Sequence, residues 1–156
     1  AVYVIGGRGL EKEREGTNGF TCLVERDFKG KTLVSIAPKC YDAVGTEAFL
    51  PVDIFQEELR AKGKPEDRVS ADIAAGYKSG RFKAPGKPGF LYMMSPENYL
   101  WDPLTQKSSN FPGHLMFYAP YATAKDIGYS KLRVGLVPII ADPGQPDAMI
   151  VVVPAR

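Results

Sequence analysis

Apolar and polar residues alternate along Phe20-Thr21-Cys22-Leu23-Val24-Glu25-Arg26, the period-2 pattern of a strand. Phe20, Cys22 and Val24 fall on one face, and Thr21, Leu23 and Glu25 on the other. Residues 31–36 form a second such run, its hairpin partner across a short polar connection that ends in Gly30. Upstream, residues 1–5 read as a short strand that Gly6-Gly7-Arg8-Gly9 turns.

The period then lengthens. Asp53 is placed to cap a helix over residues 54–62, with Gln56 three positions on, and Phe55 and Leu59 share one face. Gly63 is positioned to stop it. Pro65 suits the first turn of a second helix, and Glu66 and Asp67 lie near its positive end. Val69, Ile73 and Tyr77 make an i, i+4, i+8 stripe before Gly80. A helical hairpin over residues 53–79 is therefore predicted, laying one apolar stripe on a sheet.

Strand patterns return after it. Residues 90–95 are apolar between Gly89 and Pro96. In residues 114–119, His114, Met116 and Tyr118 face one way and Leu115, Phe117 and Ala119 the other. With both faces mostly apolar, a central strand covered on both sides is predicted. Pro138 within residues 134–140 marks an edge strand or an irregular one, and residues 149–153 are β-branched and central. The expected fold is α+β: a single domain over residues 1–156, with a mainly antiparallel sheet and one helical hairpin packed on it.

Composition sharpens this picture in a few places. At 44% hydrophobic and 24% charged, the chain is ordinary globular material. Its 16 Gly and 13 Pro are dispersed, which points to many turns and ordered loops. A net charge of +2 lacks the basic excess of a nucleic-acid-binding module. No apolar run reaches the ~20 residues of a membrane helix. Cys22 and Cys40 are the only cysteines, and their spacing fits either a disulfide or two buried thiols.

Most chemical motifs fail on inspection. Gly7-x-Gly9 follows a strand, but Lys12 stands where a dinucleotide fingerprint needs its third glycine. The hairpin over 53–79 resembles a helix-turn-helix, yet Glu66, Asp67 and Asp72 on its second helix would repel phosphate. One His and two Cys lack zinc spacing, and residues 102–110 lack the carboxylate density of a calcium loop, so they read as a polar loop. No metal and no cofactor is expected. Ser95 lacks the glycines of a nucleophile elbow.

His114 is different. It is the only histidine, so any imidazole acid–base chemistry must use it. It shares a face with Tyr118, and the segment before it mixes carboxylates, an amide and aromatics: Glu97, Asn98, Tyr99, Trp101 and Asp102. Convergent polar groups beside aromatic rings are the substance of small-molecule pockets. With Tyr92 these residues make the candidate site.

Three stretches carry a resemblance: Glu15-Gly16-Thr17-Asn18-Gly19-Phe20-Thr21-Cys22-Leu23-Val24-Glu25-Arg26, Pro38-x-Cys40-Tyr41-Asp42 and Pro112-Gly113-His114-Leu115-Met116-Phe117-Tyr118-Ala119-Pro120. Together they resemble a group of uncharacterised bacterial proteins made with export signals. The resemblance implies a periplasmic or extracellular domain whose signal lies outside residues 1–156, and a Cys22–Cys40 disulfide. It supplies no catalytic residue. Three functions are therefore in play. The first is binding of a small or aromatic molecule near His114, through Tyr92, Asn98, Tyr99, Trp101 and Asp102. The second is a small enzyme with His114 as general acid or base, Glu97 or Asp102 orienting it, and Tyr118 beside it. The third is a non-catalytic envelope or protein-interaction module. A deep cleft at His114 favours the first two; a solid core there favours the third.

Overall fold

The computed structural model describes residues 1–29, 33–128 and 138–154. Its frame is a sheet of ten strands: β1 (Val2–Gly6), β2 (Gly9–Arg14), β3 (Thr21–Lys29), β4 (Leu33–Tyr41), β5 (Phe90–Met93), β6 (Tyr99–Asp102), β7 (Lys107–Asn110), β8 (His114–Tyr118), β9 (Ile139–Ala141) and β10 (Met149–Val152). The order across the sheet is β2-β1-β3-β4-β5-β8-β10-β9, and the β6–β7 hairpin hangs from β4. Every pairing is antiparallel except β1 with β3. With three helices among the described residues beside this sheet, the fold is α+β.

β3 and β4 pair in register from Thr21↔Tyr41 to Lys29↔Leu33. This puts Cys22 opposite Cys40, and the two are joined by a disulfide. β4 runs well beyond the predicted residues 31–36, straight through Pro38. The Cα atoms of Cys22 and Cys40 are 4.0 Å apart, the close spacing of a pair without mutual backbone hydrogen bonds. Val24↔Pro38, two residues along, is a pair of the same kind. The N–H that proline lacks would therefore point to the other edge of β4. There β5 takes only Cys40 and Tyr41, and β6 only Val34 to Ile36. Pro38 sits in the fork between them, where no ladder bond is lost.

The helices are α1 (Ala43–Ala48), α2 (Leu50–Ala61) and α3 (Glu66–Lys78). Asp42 caps α1: its Oδ1 accepts the Gly45 N–H at 2.8 Å and its Oδ2 that of Phe90 at 3.1 Å, tying helix to strand. α2 starts earlier than predicted, with Pro51 in its first turn and Phe49 at its N-cap. Asp53 lies inside that first turn and caps nothing, because its carboxylate is drawn to Lys39 and Tyr41 on β4. Pro65 is the N-cap of α3 and not its first residue. Gly63 and Gly80 end the two helices at φ +73° and +78°, a region that glycine enters without strain.

Leu23, Tyr41, Phe49, Leu91, Met93, Tyr118 and Met149 form the centre of the core. On α2 the buried residues are Leu50, Val52 and Glu57, while Phe55 and Leu59 are half-buried. Glu57 is satisfied by Arg60 at 2.6 Å and by Arg26 of β3, and Arg60 also holds Glu66 of α3. α3 packs on α2. Of its predicted stripe, Val69 is buried, whereas Ile73 and Tyr77 are half-buried and line a cleft.

Two strand expectations change. β8 is central in pairing, between β5 and β10, but only one of its faces is covered: Phe117 is 42% exposed. Residues 102–110, predicted as a loop, supply the turn and second strand of the β6–β7 hairpin. Asp102 shapes that turn by accepting the Thr105 hydroxyl and the Leu104 N–H, both at 2.9 Å, and these donors hold its carboxyl below the usual range. The predicted edge strand over 134–140 is seen as β9 from Ile139, and residues 134–137 lie outside the described residues.

Candidate functional site

Alternation along the strands builds a floor. Tyr41 pairs with Leu91, Leu91 with Met116 and Met116 with Val151, giving one row of inward side chains across four strands. The row beside it runs from Lys39 past Met93 to His114, which is paired with Met93. At about 4.8 Å per strand, Lys39 and His114 start about 10 Å apart on the same face. Phe49, Val52, Asp53 and Gln56 at the start of α2, with Ile73 and Tyr77 of α3, form the roof. The two surfaces do not close on each other. They enclose a cleft of about 850 Å³, within the range that takes a small ligand.

The walls are mostly apolar, with a polar cluster at the middle. Lys39 is 5% exposed. Its Nζ donates to Glu25 Oε2 at 2.7 Å and to Asp53 Oδ1 at 3.0 Å, and lies 5.0 Å from the centre of the Tyr41 ring. The Tyr41 hydroxyl donates to Asp53 Oδ2 at 2.9 Å. Burial works against the Lys39 charge, but Asp53 and Glu25 prevail and hold its pKa well above the ordinary value. Two carboxylates share this one ammonium. Burial accordingly pushes Asp53 up, with Lys39 pulling against it and Glu25 adding to the rise. Burial also raises Tyr41, reinforced by the charge of Asp53.

His114 is 8% exposed and lines the cleft. Its Nδ1 lies 2.9 Å from the Pro112 carbonyl oxygen. A carbonyl only accepts, so Nδ1 carries the proton and Nε2 of the neutral ring is an acceptor. No hydrogen bond reaches Nε2 from the described residues. The Tyr77 hydroxyl is buried without a hydrogen-bond partner among the described residues, and burial, then Asp147 and Asp53, raise its pKa.

Of the residues predicted from sequence, only His114 reaches the cleft. Tyr118 is on the same face, but its hydroxyl is occupied, 2.7 Å from the Phe90 carbonyl oxygen and 3.1 Å from Asp42 Oδ1. Asn98 is fully buried beside the floor, its Nδ2 donating to the Met93 carbonyl at 3.0 Å. Tyr92 pairs with Cys40 and Leu115, Tyr99 with Ile36 and Trp101 with Val34, so all three lie on the opposite face of the sheet. Glu97 is exposed and accepts from Tyr99, and Asp102 is spent on its turn. Neither carboxylate orients His114.

Lys39, Glu25, Asp53 and Tyr77 are not among the site residues read from the sequence, where Asp53 and Tyr77 have structural roles on the helices. One signal was available. Continuing β4 through Pro38 puts Lys39 opposite Leu23, a diagonal neighbour of Glu25 on the same face. Among the described residues, no three His, Cys, Asp or Glu side chains are grouped to hold a metal ion, and no helix is long and apolar enough to cross a membrane. No family model, curated protein or solved structure matches the chain.

Proposed function

We propose that this chain binds a small amphipathic molecule in the cleft between sheet and helices, and does so outside the cytoplasm. The observation that carries the reading is the combination of a cleft of about 850 Å³ with two polar groups on its lining that no described residue satisfies, the buried Tyr77 hydroxyl and the Nε2 of His114. Native proteins seldom leave a buried hydroxyl unmet, at a cost of about 1–3 kcal/mol. A ligand entering here would satisfy them while covering Leu91, Met93 and Met116. Non-catalytic binding is favoured over acid–base chemistry because a carbonyl, and no carboxylate, fixes the imidazole. The Cys22–Cys40 disulfide supports an oxidising compartment, in keeping with the resemblance to exported proteins.

The test uses N-phenyl-1-naphthylamine, a neutral dye that brightens in apolar surroundings. It should bind once per chain. Met116→Trp, which fills the floor, should abolish binding, and Phe117→Ser, on the opposite face, should leave it intact. Urea midpoints would show that both variants fold. Binding that survives Met116→Trp, or is lost only with Phe117→Ser, would place the apolar site on the wrong face and end the proposal.

A further inference from the structure

Resting on that reading, we propose that the ligand is an organic cation, a protonated amine carried on an apolar body with an aromatic ring or its equivalent. The polar groups that line the cleft mostly accept. Lys39 is the one ammonium among the described lining residues, and it is already committed to Glu25 and Asp53. An anion could bind Lys39 only by taking it from two carboxylates with which it is buried. A cation meets the opposite situation. Glu25 and Asp53 together carry one more formal charge than Lys39 offsets, in a wall largely closed to water.

His114 gives the second, independent indication. The side chain is nine-tenths buried, and in the neutral ring its Nε2, which has no partner among the described residues, is an acceptor that suits an N–H donor. Asp27, Asp142 and Asp147 also line the cleft. They have interactions of their own, and they contribute the sign of the field and nothing more specific.

A matched set of probes separates charge from apolar fit: 2-naphthylmethylamine, 2-naphthylmethanol and 2-naphthoic acid, titrated calorimetrically into the whole chain at pH 7. The amine should bind at least about tenfold more tightly than the alcohol, a difference of about 1.4 kcal/mol, and the acid most weakly. Asp53→Asn and Glu25→Gln preserve shape and should each erode the preference for the amine, leaving the affinity for the alcohol within about twofold. If either variant fails to fold, the ranking on the unaltered chain decides alone. An alcohol equal to the amine, an acid that binds best, or a preference unchanged in both folded variants would overturn the cation. Failure of all three probes while the neutral dye still binds would overturn it as well and leave the binding reading standing. Failure of the dye too would remove both.

Discussion

Lys39 shows how one residue can be costly to bury and yet hard to replace. A buried ammonium pays a desolvation penalty that its two carboxylates offset, and its loss would strand both of them. Lys39→Met should therefore destabilise the fold by about 3–5 kcal/mol in urea unfolding, whereas Tyr41→Phe, which removes one hydrogen bond to Asp53, should cost only about 1 kcal/mol. The pH dependence follows from the direction of each shift. Lys39 is raised in the folded state, so its contribution is complete below about pH 10, near the unfolded value, and drains away as pH rises from there through the folded one. Asp53 is also raised. Its proton favours the fold below about pH 4 and that gain is lost as pH rises through the folded value. Stability of the unaltered chain should fall above about pH 10, and that of Lys39→Met should fall less steeply, since the raised Tyr41 and Tyr77 hydroxyls still titrate there; parallel alkaline profiles would show that the lysine does not contribute to the fall.

Periodicity carried the elements further than it carried their limits. The strand at β3, the α2–α3 hairpin and the stops at Gly63 and Gly80 were readable because each is a local pattern with a local cause. β4 was read too short, since Pro38 breaks a strand unless its missing N–H falls in a gap, and that gap exists only because β5 and β6 divide the edge of β4 between them. α1 is too short for a helical stripe to show. Propensity also misleads at Gly76, within α3. Alanine there would ordinarily favour a helix by about 1 kcal/mol, but the Phe82 ring lies 2.4 Å from where its Cβ would be. Gly76→Ala should thus lower stability, by about 1–3 kcal/mol of overpacking; a higher urea midpoint would mean that the ring moves aside freely.

At the level of the whole molecule, the sheet has one face under helices and one face bare, and this decides what the sequence could say of the site. His114 was legible because it is unique and opens a strand. Tyr92, Tyr99 and Trp101 were grouped with it by nearness in sequence, but register across three turns sends them to the bare face, where Phe20, Phe90, Tyr92 and Phe117 form their own run of ring contacts. Which face the helices cover is a tertiary fact, and nothing in the alternation of a single strand announces it. The polar cluster was hidden for the same reason, its members coming from β3, β4 and α2.

The divided edge of β4 also has a consequence in time. Among the described residues, the β6–β7 hairpin is joined to the rest of the sheet through three residue pairs, Val34↔Trp101, Ser35↔Leu100 and Ile36↔Tyr99. Such a unit can detach and rejoin without global unfolding. In deuterated water the amides of residues 99–110 should exchange together, and sooner than those of β8, which is paired on both sides; equal rates would mean that the sheet opens only as a whole. Leu100 lines the cleft, so any molecule lodged there and touching it would slow that exchange by mass action, and the hairpin would act as the clock on which occupancy is read.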